Sequence, residues 1–492
     1  MDENRPEETT VPEAPGPSAD AAPDADPVEP SGVQQSPPPA ASPVFTALGE
    51  PPVTECRPVA AAERIDSVDT LRGFAVLGIL VMNIYFFSLP GAVYFNPLVW
   101  GGADGLNLYT WMVTHVFFEQ KFFSIFSMLF GAGVILMHQR AEQRGAGFGS
   151  VWYNRIFWLL IIGAVHAYFF WYGDILFTYA VCGLLIYLFR RLSPKVLITV
   201  GILVMLVALP ISSGLGLLVG YMRDTAIEAE RLVAEGQELD AMQQAMLDSW
   251  AEMKKEYYPT PGQLREEIDL YGGGPYWAIF VDRFPVVLNM QLVAGLVNVY
   301  WHIGGLMLIG MGLMKSGVFS GAKPYRFYRW MVIGGYGAGL PLGLLSVRQL
   351  ALHDFDFIYN FTIGGYFNYF AGFFMALGHV GLVMLVCKSG LFLAFQRRLA
   401  AVGRMALTNY LMHTLICTLI FYSYGLGLFG RLERIQLMGV VLAIWVLQLA
   451  ICQPWLKWFR FGPAEWLWRS LTYRRRQPFR VAASPGAEGG SG

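Results

Sequence analysis

The stretch RIDSVDTLRGFAVLGILVMNI, residues 64–84, crowds two carboxylates and an arginine into its entrance and then runs apolar, broken deep inside by Asn83. An apolar run of about 20 residues crosses hydrocarbon as a helix. Asp66 and Asp69 suit the positive N-terminal end of such a helix, and Arg72 marks its cytoplasmic side. That reading accounts for the charges as an ordinary helix start. Asp69 and Arg72, three apart, also share one helical face. Asn83 alone is a weak signal, because a lone asparagine often just hydrogen-bonds a neighbouring helix.

The rest of the chain repeats the pattern. It has 492 residues, 55% hydrophobic and 14% charged, with a mean hydropathy of +0.44. Soluble domains are about 45–50% apolar and about 25% charged. Barrel strands would alternate apolar and polar residues in segments of about ten, and no such alternation occurs. The fold class is therefore all-α, a polytopic membrane bundle. Apolar runs predict ten spans, near 71–89, 109–137, 153–170, 175–189, 196–220, 284–314, 328–346, 361–386, 405–424 and 436–458. Lysine and arginine gather in alternate loops, among them Arg140 and Arg144, Arg190 and Arg191, Lys323 and Arg326, and Arg397 and Arg398. By the positive-inside rule both termini are expected in the cytoplasm.

Five segments follow. Residues 1–60 form an acidic, Pro/Ala-rich cytoplasmic tail that cannot bury enough surface to fold and has no signal-peptide pattern. Residues 61–220 form an N-terminal five-helix half, and 221–283 a loop with a charged amphipathic helix and a YGGGPYW turn. Residues 284–475 form a C-terminal five-helix half, and 476–492 a second disordered tail. The loop reads as a solvated cap, with a lid over an outward-facing site as the alternative. The segment FRFGPAEWLWRSLTYRRR has the composition of an interfacial anchor.

Ionisable groups inside a bilayer are costly and line cavities or pair up. His115 and Glu119 are four apart on one face, and Lys121 falls about halfway through the second predicted span. Lys121 reads equally as half of an internal ion pair, with Glu119 or Asp174, and as an anion-binding group in a tunnel. His166 precedes Asp174 across a WYG turn that brings them together. Asp174 alone would be a helix N-cap. Beside it, His166 becomes a candidate general base. His302, His379 and His413 lack such a companion and read as structural. The five cysteines have no metal spacing, so no metal site is expected, and GxSxG, Walker A and HExxH patterns are absent. A net charge of −1 gives no reason to expect nucleic acid.

Several blocks together resemble the YeiB-type bacterial inner-membrane proteins, the family that carries domain of unknown function 418. They are the opening stretch, KFFSIFSMLFGAG, LIIGAVHAYFFWYGDILFTYA, GRMALTNYLMHTLICTLIFYSYGLGLFG and FRFGPAEWLWRSLTY. That family is similar to a wider group of transmembrane acyl transferases, which includes the lysosomal heparan-α-glucosaminide N-acetyltransferase and the acyltransferase-three glycan modifiers. The shared landmark is Leu71-Arg72-Gly73. The resemblance implies acyl transfer from cytoplasmic acyl-CoA, as co-substrate rather than tightly bound cofactor, to a glycan or small-molecule acceptor beyond the membrane. Acyltransferase-three proteins carry a histidine eleven residues after the landmark arginine. Here that position is Asn83, which cannot accept a proton but can donate to an oxyanion. The lysosomal type uses a loop histidine after its first span, and residues 85–114 contain none. His166, oriented by Asp174, becomes the base. Arg72 with Asp69 would meet the donor, and Lys121, Glu119 and His115 the substrate charge. The bilayer is the expected partner, and a homodimer is kept open. A secondary transporter and a non-catalytic membrane protein are the competing readings.

Overall fold

The computed structural model describes residues 65–102 and 104–481, all within one compact unit. The tail over residues 1–60 and residues 482–492 of the C-terminal tail lie outside the described residues. Among the described residues the chain is helical, and its one β pairing is an isolated bridge between Phe459 and Arg480. Through it residues 476–481, read from sequence as tail, run back along the end of the last long helix.

The first half contains α1 (Asp66–Ser88), α2 (Gly105–Phe117), α3 (Lys121–Gln143), α4 (Gly149–Val165), α5 (Leu176–Ile186) and α6 (Pro194–Ala234). A π-helical turn over His166–Phe170 ends α4. The central loop holds α7 (Ala241–Tyr257) and α8 (Pro261–Gly273). The second half contains α9 (Tyr276–Asn289), α10 (Tyr300–Lys315), α11 (Tyr325–Leu352), α12 (Phe357–Tyr359), α13 (Gly365–Ser389), α14 (Leu393–Arg404), α15 (Ala406–Phe421), α16 (Arg434–Trp458) and α17 (Pro463–Thr472).

Among the described residues, eight continuous helical stretches are long and apolar enough to cross a membrane. The fourth and ninth predicted spans are shorter, as α5 and α15. The second predicted span is two helices. The break falls at Phe118–Gln120, where Gln120 takes a left-handed backbone (φ 63°). At 41 residues, α6 is about 60 Å long, twice the hydrocarbon thickness, so its C-terminal half stands clear of the apolar layer. Capping boxes at Asp240–Gln243 and Thr260–Gln263 start α7 and α8. They make the loop a folded helical cap.

Helices pack through small residues, as membrane bundles do. Where α1 crosses α14, a Cβ on Gly73 would stand 1.9 Å from the Leu399 carbonyl oxygen, and one on Gly403 1.9 Å from that of Asp69. Backbone touches backbone there. This explains the glycine of the Leu-Arg-Gly landmark without any chemistry. It also draws Arg404 to the end of α1 that carries Asp69 and Arg72.

Candidate functional site

A cavity of about 250 Å³ lies between α1, α3, α4, α5, α15 and α17. Six arginines line it: Arg72, Arg140, Arg144, Arg155, Arg404 and Arg469, with two carboxylates, Asp69 and Glu465. All six arginines are half-buried. Beyond them the wall turns apolar and aromatic, through Val76, Ile79, Phe126, Leu129 and Leu159 to Tyr179, Ile175 and Tyr410.

Asp69 and Arg72 form the expected pair, with Nη1 3.1 Å from Oδ1. The second Arg72 nitrogen faces the open side of Gly133, 3.8 Å from where a Cβ would stand. Arg155 lies under Trp468, its guanidinium carbon 3.5 Å from the ring centroid. The Trp468 indole N–H donates to the Arg155 carbonyl at 3.0 Å. Glu465 is buried and caps α15: Oε1 accepts from the backbone N–H of Leu407 (2.7 Å) and Thr408 (3.0 Å), and Oε2 from the Thr408 hydroxyl (2.5 Å). Burial raises its carboxyl above the usual range, and those same hydrogen bonds offset only part of the rise. A carboxylate at a helix N-terminus complements the dipole, so Glu465 fixes the wall that carries Tyr410.

His166 and Asp174 meet as the turn predicts. Nδ1 lies 2.7 Å from Asp174 Oδ2, and both side chains are almost fully buried. The other Asp174 oxygen accepts from the backbone N–H of Phe177 at 2.8 Å. One carboxylate therefore caps α5 and orients an imidazole. A carboxylate at Nδ1 makes that nitrogen the N–H and leaves Nε2 as acceptor. Nε2 stands 2.9 Å from Thr414 Oγ1. The Tyr410 ring, from the deep end of the cavity, sits 5.4 Å from the imidazole between centroids. Its hydroxyl accepts from the Ile175 N–H (3.2 Å) and reaches the Gly173 carbonyl (3.4 Å).

Asn83 does not line the cavity. It is half-buried, one turn past Ile79 on α1. Eleven residues turn a helix about three times, so Asn83 lies on the face of Arg72, roughly 16 Å further along.

His115, Glu119 and Lys121 form a separate cluster at the α2–α3 break. Lys121 Nζ is fully buried and donates to the His115 carbonyl (2.8 Å) and to Asn368 Oδ1 (2.6 Å). It caps the end of α2, where carbonyls lose their helical partners and the dipole is negative. The ion pair expected for it with Glu119 or Asp174 does not form. Glu119 instead meets His115 Nδ1 at 2.5 Å and accepts from the Tyr94 hydroxyl at 3.2 Å. His115 Nε2 reaches Ser346 Oγ at 3.0 Å. None of the three lines the arginine-rich cavity.

Thr414, Tyr410, Glu465 and Trp468 escaped the sequence reading. Tyr410 and Thr414 stand four apart, a signal for a shared face. Glu465 was hidden in a segment that looks like an anchor. Above the site, fully buried Arg283 of α9 donates to the carbonyls of Phe170 (2.7 Å) and Tyr168 (2.9 Å). The Tyr276 hydroxyl donates to that of Phe169 at 2.7 Å. The turn between α4 and α5 is thus roofed by the loop and the start of α9. Among the described residues no group of His, Cys, Asp and Glu could hold a metal ion.

Residues 313–475 match a family model described as "Protein of unknown function (DUF418)". The chain is 32% identical to "Uncharacterized protein YeiB" of Escherichia coli (strain K12), over 85% of this chain and 98% of that protein. It is 30% identical to "Uncharacterized protein YxaH" of Bacillus subtilis (strain 168), over 87% and 98%. A Bacillus acidopullulyticus protein, "Uncharacterized 39.9 kDa protein in amylase 3'region", is 27% identical over 86% and 97%. No solved structure matches.

Proposed function

The chain belongs to the YeiB family of multi-pass membrane proteins, and from that premise we propose that it is a transmembrane acyl transferase of the bacterial inner membrane. It would move an acyl group from cytoplasmic acyl-CoA to a hydroxyl or amine on the other side. One observation carries the reading: an arginine-lined cavity ends at Tyr410, whose ring lies against a buried imidazole that a carboxylate orients.

The chemistry assigns each group a task. Guanidinium groups at the mouth suit phosphate, which they bind in bidentate fashion. The apolar wall beyond them suits a pantetheine arm and its acyl end. His166 takes the proton of the acceptor through Nε2, displacing the Thr414 hydroxyl. The acceptor oxygen or nitrogen attacks the thioester carbonyl, and Asp174 stabilises the imidazolium. Asn83, on the Arg72 face of α1 but outside the cavity lining, would be the donor to the oxyanion. The carbon–sulfur bond then breaks, the acyl group stays on the acceptor, and the thiolate leaves with the proton from His166. For the acceptor to enter, the roof over the α4–α5 turn has to open.

A secondary transporter is the second reading. It is favoured by the helix broken at Gln120 with ionisable groups at the break, since transporters place their sites at discontinuous helices. Calorimetric titration of acetyl-CoA, and of CoA alone, into detergent-purified protein separates the two. The transferase predicts micromolar binding that Arg72→Ala weakens at least about tenfold and His166→Ala leaves within a few-fold, on the scale of tenfold per 1.4 kcal/mol. Folded protein that binds neither compound would leave the transporter as the better account.

A further inference from the structure

A second groove lies on the outer side of α17. It is lined by Phe157 and Trp158 of α4, by Trp466 and Leu471 of α17, and by Arg474, Arg475 and Arg476. Its position is fixed by the helix geometry. Trp468 points into the arginine-lined cavity. Two residues along a helix turn the side chain by about 200°, so Trp466 points the other way. Asn154 fastens the end of α17 to α4, with Nδ2 3.1 Å from the Leu471 carbonyl and 2.5 Å from that of Thr472. Arg474 then takes a left-handed backbone, φ 50°. That is uncommon for a residue with a Cβ, and it turns the chain so that three consecutive arginines surround the groove.

We propose that this groove is a discrete binding site for one anionic phospholipid of the leaflet at the arginine-rich end. All three arginines are exposed, and among the described residues none has a carboxylate within salt-bridge distance. Arg476 lies 5.9 Å from the Trp466 ring centroid, so a planar cation and an aromatic wall border the same space. The α4 wall lies within a helix long and apolar enough to span the membrane, a little over two turns from its start at Gly149. Phe157 is 52% exposed there. A lipid phosphodiester would sit among the guanidiniums while its acyl chains run along Phe157 and Trp158. A bare phosphate would satisfy the charges and leave that aromatic wall uncovered, so the occupant is the lipid. The site is independent of acyl transfer, yet it touches it: α17 is the partition between this groove and the cavity.

Native mass spectrometry of detergent-purified protein, incubated with phosphatidylglycerol or phosphatidylcholine, tests the site. One phosphatidylglycerol should stay bound and phosphatidylcholine should not. The triple variant Arg474→Ala/Arg475→Ala/Arg476→Ala should lose roughly a hundredfold in retention, at about 1 kcal/mol per basic residue near the lipid surface. Trp158→Ala, which leaves the charge untouched, should also release the lipid. Arg397→Ala/Arg398→Ala, two exposed arginines outside the groove, should retain it. Equal loss in that control would mean diffuse attraction and overturn the site. So would retention in Trp158→Ala, lack of preference for phosphatidylglycerol, or equally effective displacement by soluble glycerol phosphate.

Discussion

At the scale of single residues, the weight falls on what Asp174 does with two oxygens. One caps α5 through the Phe177 N–H, and the other holds His166 Nδ1. Sequence allowed either role as an alternative, and the geometry combines them. Asp174→Asn separates them again. The amide oxygen can keep the cap, but its NH₂ group faces Nδ1 and forces the N–H to Nε2. A base so arranged cannot accept a proton where the acceptor must stand. The variant should keep the thermal stability of the parent within a few degrees and bind acyl-CoA normally. It should transfer roughly 10²–10⁴-fold more slowly, the range of a lost general base. Unchanged turnover in Asp174→Asn would remove His166 from the mechanism. Lys121 teaches the opposite lesson. Its burial was legible from its place in an apolar run, but its partners were not. The carbonyl it caps exists only because the helix breaks at Gln120, and no spacing rule announces a break inside an apolar run.

At the scale of elements, α8 docks through a contact that titrates. Its Glu267 reaches down to the start of the α1–α2 connection, where Oε1 accepts from the Gly91 N–H at 3.0 Å. Burial, countered in part by that hydrogen bond and reinforced by nearby Asp282, raises the Glu267 carboxyl to about 7. When undocked it titrates near the ordinary value for glutamate, about 4.3. Between these values the docked state binds a proton that the undocked state lacks. Docking is therefore tightest below the lower value, weakens as pH rises towards 7, and is flat above it. Amide protection over residues 261–275, taken relative to the intrinsic exchange rate at each pH, should accordingly fall from mildly acidic to neutral pH. Glu267→Gln should abolish that slope and hold α8 at its high, low-pH protection throughout. A slope that survives the substitution would assign the pH response to another group. The loop was legible as amphipathic and helical from its charge pattern. Its contacts with Gly91, and those of Arg283 with the α4 turn, join residues more than a hundred apart and leave no trace in local periodicity.

At the scale of the whole molecule, hydrogen bonds sort the connections into two ends. At one end Ser67 bonds the Phe319 carbonyl, Lys315 that of Leu192, Tyr325 that of Lys388 and Asn154 that of Leu471. At the other, Trp100 bonds Gly430, Tyr276 bonds Phe169, and Tyr258 bonds Asp356. The chain alternates between these ends, and α5 and α15 complete the alternation although neither is long enough to cross unaided. The apolar runs put these spans at 175–189 and 405–424, and the helices form within those bounds. Their shortness is what places Asp174, Tyr410 and Thr414 within the bundle. The positive-inside rule predicts that the first end is cytoplasmic, and the proposed acyl-CoA chemistry at the arginine-lined cavity requires it. In a variant whose five cysteines are replaced, Glu238→Cys on the loop between α6 and α7 should react with a membrane-impermeant maleimide in intact spheroplasts. Ser320→Cys, between α10 and α11, should react only after lysis; both positions are exposed. The reverse pattern would put the cavity on the face where no acyl-CoA is found and end the transferase reading, whatever His166 does. Labelling of both from outside would contradict the alternation itself.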